Sequence, residues 1–104
     1  MIDPQLKRGV LDICILQLLK QKDRYGYDII KTIQEFFPET EESTIYAILR
    51  RLNKEEMTDM YYSEISNGPK RKYYQITAKG KESLDAAIAS LAEIKNIFSQ
   101  LEIF

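Results

Sequence analysis

The chain has 104 residues, 30% of them charged, with a formal net charge of −1, one cysteine and no histidine. That length sets one domain with a modest core. A single cysteine excludes an intrachain disulfide, and with no histidine the usual zinc sites and most nucleophile–base pairs are excluded too. No Gly-rich phosphate loop or spaced catalytic motif is present, so neither an enzyme nor a bound cofactor or metal is expected. The longest uncharged stretch, Ile13 to Leu19, is too short to span a bilayer, and no cleavable signal pattern opens the chain. A cytoplasmic location without membrane contact is the expectation.

Asp3 reads as an N-cap and Pro4 as the first turn of a helix. From there Leu6, Val10, Leu11, Ile13, Cys14, Leu18 and Leu19 cover more than one helical face, which predicts contact with both the core and a partner. Cys14 lies within an apolar run and reads as a small buried hydrophobe rather than a redox sensor. Gln21 to Arg24 is a polar break. A second helix is expected from about Tyr25 to Phe37, with Ile29, Ile30, Ile33 and Phe36 as its buried stripe and Pro38 closing it.

Thr40 is the expected N-cap of a third helix, with Glu41 and Glu42 at its positive end. Within it Ile45, Ile48, Leu49 and Leu52 face inward. Ser43, Thr44, Ala47, Arg50, Arg51 and Lys54 face outward, and Tyr46 lies between the two sets. Strands near Met57–Ser63 and Arg71–Ile76 flank an Asn67-Gly68 turn signal. The residues from 64 to 70 are too many for a tight hairpin, which predicts a protruding wing. Tyr73 and Tyr74 alternate across the second strand, so one belongs in the core and the other outside.

Thr77 then caps a last helix, expected from Ala78 to Phe104 and about 40 Å long at ~1.5 Å per residue. Gly80 falls in its first turn, where the helix penalty of glycine is mild. Leu84, Ala87, Leu91, Ile94, Phe98 and Leu101 alternate steps of three and four, a heptad seam that Ile88 and Ile97 widen. Each large side chain is worth about 1.5–3 kcal/mol when buried, so the seam calls for a second subunit. Leu6 and Val10 of the first helix would complete that interface. The expected fold is α+β, mostly α: a winged helix-turn-helix over residues 1–77 and a C-terminal dimerisation helix over 78–104, in one compact unit.

The charge is divided unevenly. Residues 1–42 carry 6 basic and 8 acidic groups, residues 43–81 carry 8 basic and 4 acidic, and residues 82–104 carry 1 basic and 4 acidic. The positive field therefore lies on the third helix and the wing, the pattern of a nucleic-acid reading head. Arg50 offers a planar fork suited to a base edge or a phosphate. Arg51 and Lys54 read as phosphate contacts or solvated charges. Ser43 and Thr44 are short donors and acceptors that also suit simple helix capping. Tyr46 suits the groove or burial against the second helix. Lys70, Arg71 and Lys72 suit flanking phosphates or entry into the minor groove, against the plainer reading of a solvated loop. The competing reading is a winged-helix module whose basic wing meets an acidic protein.

These residues resemble the PadR family of bacterial transcriptional regulators. The likeness runs from the Leu11–Leu19 helix through Tyr25-Gly26-Tyr27-Asp28-Ile29-Ile30 and Ser43-Thr44-Ile45-Tyr46-Ala47-Ile48-Leu49-Arg50-Arg51-Leu52. It continues through Gly68-Pro69-Lys70-Arg71-Lys72-Tyr73-Tyr74 to Ile76-Thr77-Ala78-Lys79-Gly80. The single terminal helix is similar to the compact subfamily. The resemblance implies a homodimeric repressor on double-stranded DNA with an inverted-repeat operator, released by a small molecule, with room for an apolar effector at the dimer interface. It also implies a DNA-side place for Tyr25, which stands where the family usually has His. Glu56-Met57-Thr58 replaces the family's Gly and aliphatics, removing the glycine expected to end the third helix. The chain has no Trp, and the last helix offers Leu91 mid-way and its first ring at Phe98, a poor stacking surface for flat aromatic drugs.

Overall fold

A computed structural model describes residues 1–63 and 68–104. Residues 64–67 of the expected protruding wing, Asn67 of its turn signal included, lie outside the described residues. The elements run α1 (Pro4–Lys7), α2 (Val10–Gln21), β1 (Arg24–Tyr25), α3 (Gly26–Phe36), α4 (Glu42–Lys54), β2 (Thr58–Ser63), β3 (Arg71–Ile76) and α5 (Ala78–Gln100). This is the expected winged helix-turn-helix with a long C-terminal helix, although α5 ends at Gln100, capped by Leu101, and does not reach the expected Phe104.

Asp3 caps α1, its carboxylate accepting from the Gln5 amide at 2.8 Å. The expected single N-terminal helix is broken, however, because Gly9 takes a left-handed φ of +83° and separates α1 from α2. The polar break after α2 hides a strand. Arg24 and Tyr25 pair with Tyr74 and Tyr73, giving an antiparallel sheet of order β1-β3-β2. The Arg24 guanidinium turns back to donate to Gln21 Oε1 at 2.7 Å and to the Leu18 carbonyl at 3.0 Å, which also accepts from the Lys22 amide at the end of α2.

The core joins Leu11, Ile15 and Leu19 of α2 with the inward stripes of α3 and α4, Tyr74 of the sheet and Leu84 of α5. Two expected core and cap positions are corrected. Phe36 is 71% exposed, and Phe37 packs against the core in its place. Thr40 is not the N-cap of α4. Glu41 holds that position without a side-chain cap bond, while Thr40 is buried, its hydroxyl near Lys7 and its carbonyl accepting from Gln34.

The far end of α4 resolves the absence of a glycine there. Glu56 itself adopts the left-handed conformation, φ +63°. The Glu56 amide donates to Asn53 and the Met57 amide to Leu52, closing a Schellman motif with glutamate in the glycine position. The start of α5 is tied onto this turn. The Thr77 hydroxyl donates to the Glu56 carbonyl at 2.7 Å and accepts from the Gly80 amide at 3.0 Å, and Lys79 donates to the Glu55 carbonyl. The last turn of α4 and the first of α5 thus form one joined corner.

Candidate nucleic-acid interface

Helical spacing of about 100° per residue sorts the side chains of α4 into four directions. Ile45, Leu49 and Leu52 are buried. Ser43, Ala47, Arg50 and Lys54 project the other way and are exposed. Thr44 and Arg51 lie on one flank, Tyr46 and Asn53 on the other. Among the described residues, Arg50 and Lys54 make no ion pair, so their donors face solvent.

Arg51 behaves differently from its neighbour. Its Nη2 meets both carboxylate oxygens of Asp12 at 2.7 Å, and Nη1 reaches Glu55 at 3.4 Å. These bonds hold the guanidinium charged more firmly than usual, the hydrogen bond to Asp12 first. Arg51 therefore ties α4 to α2 while staying exposed on the flank of the helix.

Tyr46 straddles its two expected roles. Its ring edges the space over Gly26, where a methyl group would lie 3.9 Å from it and 3.3 Å from the Tyr74 ring, yet the residue is 37% exposed. Burial, and then the charge of Glu42, raises the phenol above its ordinary range, so at neutral pH it remains a hydroxyl able to donate.

Adjacent wing cations point to opposite faces of the sheet, as strand alternation requires. Arg71 stacks on the Tyr25 ring at 5.0 Å, on the outer face with Tyr73 and Tyr61. Lys72 lies over Tyr74 at 5.7 Å, on the face that carries α4. Lys70 precedes the strand and is exposed. Tyr25 serves as a platform for Arg71 and as the N-cap residue of α3. Of the tyrosine pair, Tyr74 is the core member and Tyr73 the half-buried outer one. Two cations outside the positive segment also approach α4. Lys7 Nζ lies 3.5 Å from Thr40 Oγ1, and Arg8 follows it at the α1–α2 corner.

The expected pairing seam is largely open. Ile88, Leu91, Ile94, Ile97 and Phe98 are 36–46% exposed and Leu101 is 66% exposed. Ala87 and Val10 are half-buried, and Leu6 is 76% exposed. Leu84 is corrected: at 0% exposure it belongs to its own protomer's core and cannot face a partner. An apolar groove of about 500 Å³ runs between α2, α3 and α5, lined by Ile13, Cys14, Leu18, Phe36, Phe37 and Ile88 among others. Burial pushes the Cys14 thiol above its ordinary range. No helix is long and apolar enough to cross a membrane among the described residues.

A helix with one exposed polar face, set beside a two-stranded cationic wing, defines the winged helix-turn-helix class. A family model described as the transcriptional regulator PadR-like family matches residues 15–86. The chain belongs to the PadR family, whose members are transcription regulators and not enzymes. It is 42% identical over 100 residues to an uncharacterized protein of Lysinibacillus sphaericus, covering 93% of this chain and 92% of that one. Among solved structures, a PadR-like transcriptional regulator from Bacillus cereus superposes with a TM-score of 0.84 at 36% identity, covering 93% of this chain and 95% of its own. A PadR family regulator from Clostridium difficile gives 0.81 at 36% identity, covering 89% of this chain and 98% of its own.

Proposed function

We propose that this chain is a cytoplasmic, homodimeric repressor that binds an inverted-repeat operator and is released by a small apolar effector. In this reading residues 1–77 read DNA and residues 78–104 pair the two copies. Ser43, Thr44, Tyr46, Arg50 and Lys54 of α4 meet the major groove, and Lys70, Arg71 and Lys72 grip flanking phosphates with Tyr25 beneath Arg71.

The observation that carries the reading is the exposed Ser43–Ala47–Arg50–Lys54 face, with unpaired cations beside a sheet whose cationic end lies alongside. A dimer follows from the open α5 seam. Five large apolar side chains there are more than half covered, and each gains about 0.5–1.5 kcal/mol on burial of the rest. A second copy supplies that cover, and the groove beside Cys14 offers an apolar effector a place near the same seam.

The test is duplex selection from a random pool, followed by gel shifts at two salt concentrations. Arg50→Ala is expected to weaken binding and relax preference at one base pair, a cost of about 1–3 kcal/mol. Lys70→Ala is expected to weaken binding to all duplexes and to flatten the salt dependence. Unchanged affinity in both variants would overturn the assignment. Binding to an acidic protein but to no duplex would favour an interaction module instead.

A further inference from the structure

We propose that the α1–α2 corner, carrying Lys7 and Arg8, is a second phosphate-binding element, placed on the flank of α4 opposite the wing. The inference rests on the DNA-binding reading above and adds contacts from a part of the chain whose net charge is negative.

Geometry places the corner. One flank of α4 carries Tyr46, whose ring meets the sheet at Gly26 and Tyr74, beneath Lys72. The opposite flank carries Thr44 and Arg51, and a groove there is lined by Lys7, Arg8, Asp12, Thr44, Ile48 and Arg51. The exposed face of α4 thus lies between the wing cations on one side and Lys7 with Arg8 on the other. A helix in the major groove has a sugar–phosphate backbone on each side, so cations on both flanks match both strands.

Local backbone chemistry presents the two side chains. Gly9, at φ +83°, ends α1 and turns the chain, and Arg8 is extended just before it. Lys7 reaches forward to Thr40, two residues before α4 begins. The Asp12–Arg51 pair fastens this corner to α4, with both carboxylate oxygens at 2.7 Å from one guanidinium nitrogen. That pair also neutralises the one carboxylate of the groove, leaving Lys7 and Arg8 as its uncompensated charges. The other carboxylates nearby are Asp3, which accepts from the Gln5 amide, Glu39, which lines a separate pocket with Lys7, Glu41, which accepts from Ser43, and Glu42. Arg51 in this arrangement is a positioning residue: it holds the corner rather than contacting phosphate.

The test uses a fluorescein-labelled duplex selected on the wild-type chain, with affinity followed across salt concentration. K7A/R8A is expected to reduce the slope of log K against log salt by about 0.9 for each lost phosphate contact, about 1.8 for each bound protomer. The charge-reversed K7E/R8E is expected to weaken binding further at low salt. Arg8 is exposed and Lys7 half-buried against Thr40, so helicity and Tm are measured on both variants to separate loss of that contact from the change in salt slope. Asp12→Asn supplies a second, opposite-signed readout. If Arg51 holds the corner, Asp12→Asn weakens binding; if Arg51 is itself a phosphate ligand kept away by Asp12, the variant binds more tightly. A wild-type chain that binds duplex with a slope unmoved by K7A/R8A overturns this inference alone, as does tighter binding by Asp12→Asn. A wild-type chain that binds no duplex overturns the DNA reading, and this one with it.

Discussion

Gly80→Ala is expected to destabilise the chain, although alanine is the better helix former. A β-carbon at Gly80 would lie 2.2 Å from the Met57 carbonyl oxygen and 2.8 Å from Ile76 Cγ1. The first contact is about 1.2 Å short of ordinary van der Waals separation. Ile76 has a side chain that could yield, but the Met57 carbonyl is backbone and already accepts from the Thr77 amide at 3.1 Å. Moving it would disturb the corner that joins α4 to α5. Overpacking costs about 1–3 kcal/mol, and a backbone obstacle puts this site at the upper end. The propensity gain of alanine offsets at most about 1 kcal/mol and less in a first turn. A net loss of about 2 kcal/mol corresponds to a fall in Tm of about 8–16 °C for a chain of this size. Thermal unfolding by circular dichroism at fixed protein concentration reads it directly. An unchanged or raised Tm would mean that helix propensity, and not close approach, governs this position.

Glu56→Gly is expected to have the opposite sign, because it relieves a left-handed residue at the end of α4. A gain of about 0.5–1 kcal/mol remains after the entropy of glycine is subtracted, read as a Tm raised by a few degrees. A lowered Tm would contradict it. Leu84→Ala and Leu91→Ala separate core from seam. The first is expected to cost about 2–5 kcal/mol of folding stability, and the second to weaken self-association in sedimentation while leaving the protomer folded. Equal effects of the two on folding and association would contradict the assignment of Leu84 to the core. The Cys14 thiol, raised by burial, carries less thiolate at neutral pH than a free cysteine. Iodoacetamide should therefore modify it more slowly, with a rate profile displaced to higher pH; modification as fast as free cysteine would contradict that.

Much of this architecture was readable from residue order alone. The α4 stripe and the two long strands have strong periodicity, so Ile45, Leu49 and Leu52 and the Tyr73/Tyr74 alternation could be assigned without coordinates. Other features depend on contacts between distant segments. The strand Arg24–Tyr25 is too short to have a period and exists because β3 offers it partners. Phe36 and Phe37 are adjacent aromatics, and a helix end decides between them only when its last turn is fixed. Thr40 looks like a cap by residue type, yet the helix begins two residues later. Leu84 fits the heptad seam as well as any residue in it, and only the packing of α2 on α5 withdraws it to the core.

The site shows the same division. Arg50 and Arg51 are identical neighbours, and what separates them is Asp12, 39 positions from Arg51 in the chain. Summing charge by segment hid Lys7 and Arg8, because it set Asp12 against them although Asp12 is paired with Arg51. Their one sequence signal was the Lys-Arg-Gly run, with glycine marking a break in the first helix.

Reading of DNA by two copies of this chain through α4 is open to hydroxyl-radical footprinting on a duplex selected by the wild-type chain. Two protected patches related by a two-fold axis are expected, separated by about one helical turn (roughly 10–10.5 base pairs) or a multiple of it, and lost together in Arg50→Ala. No protection on the selected duplex, or a footprint that Arg50→Ala leaves intact, would contradict it.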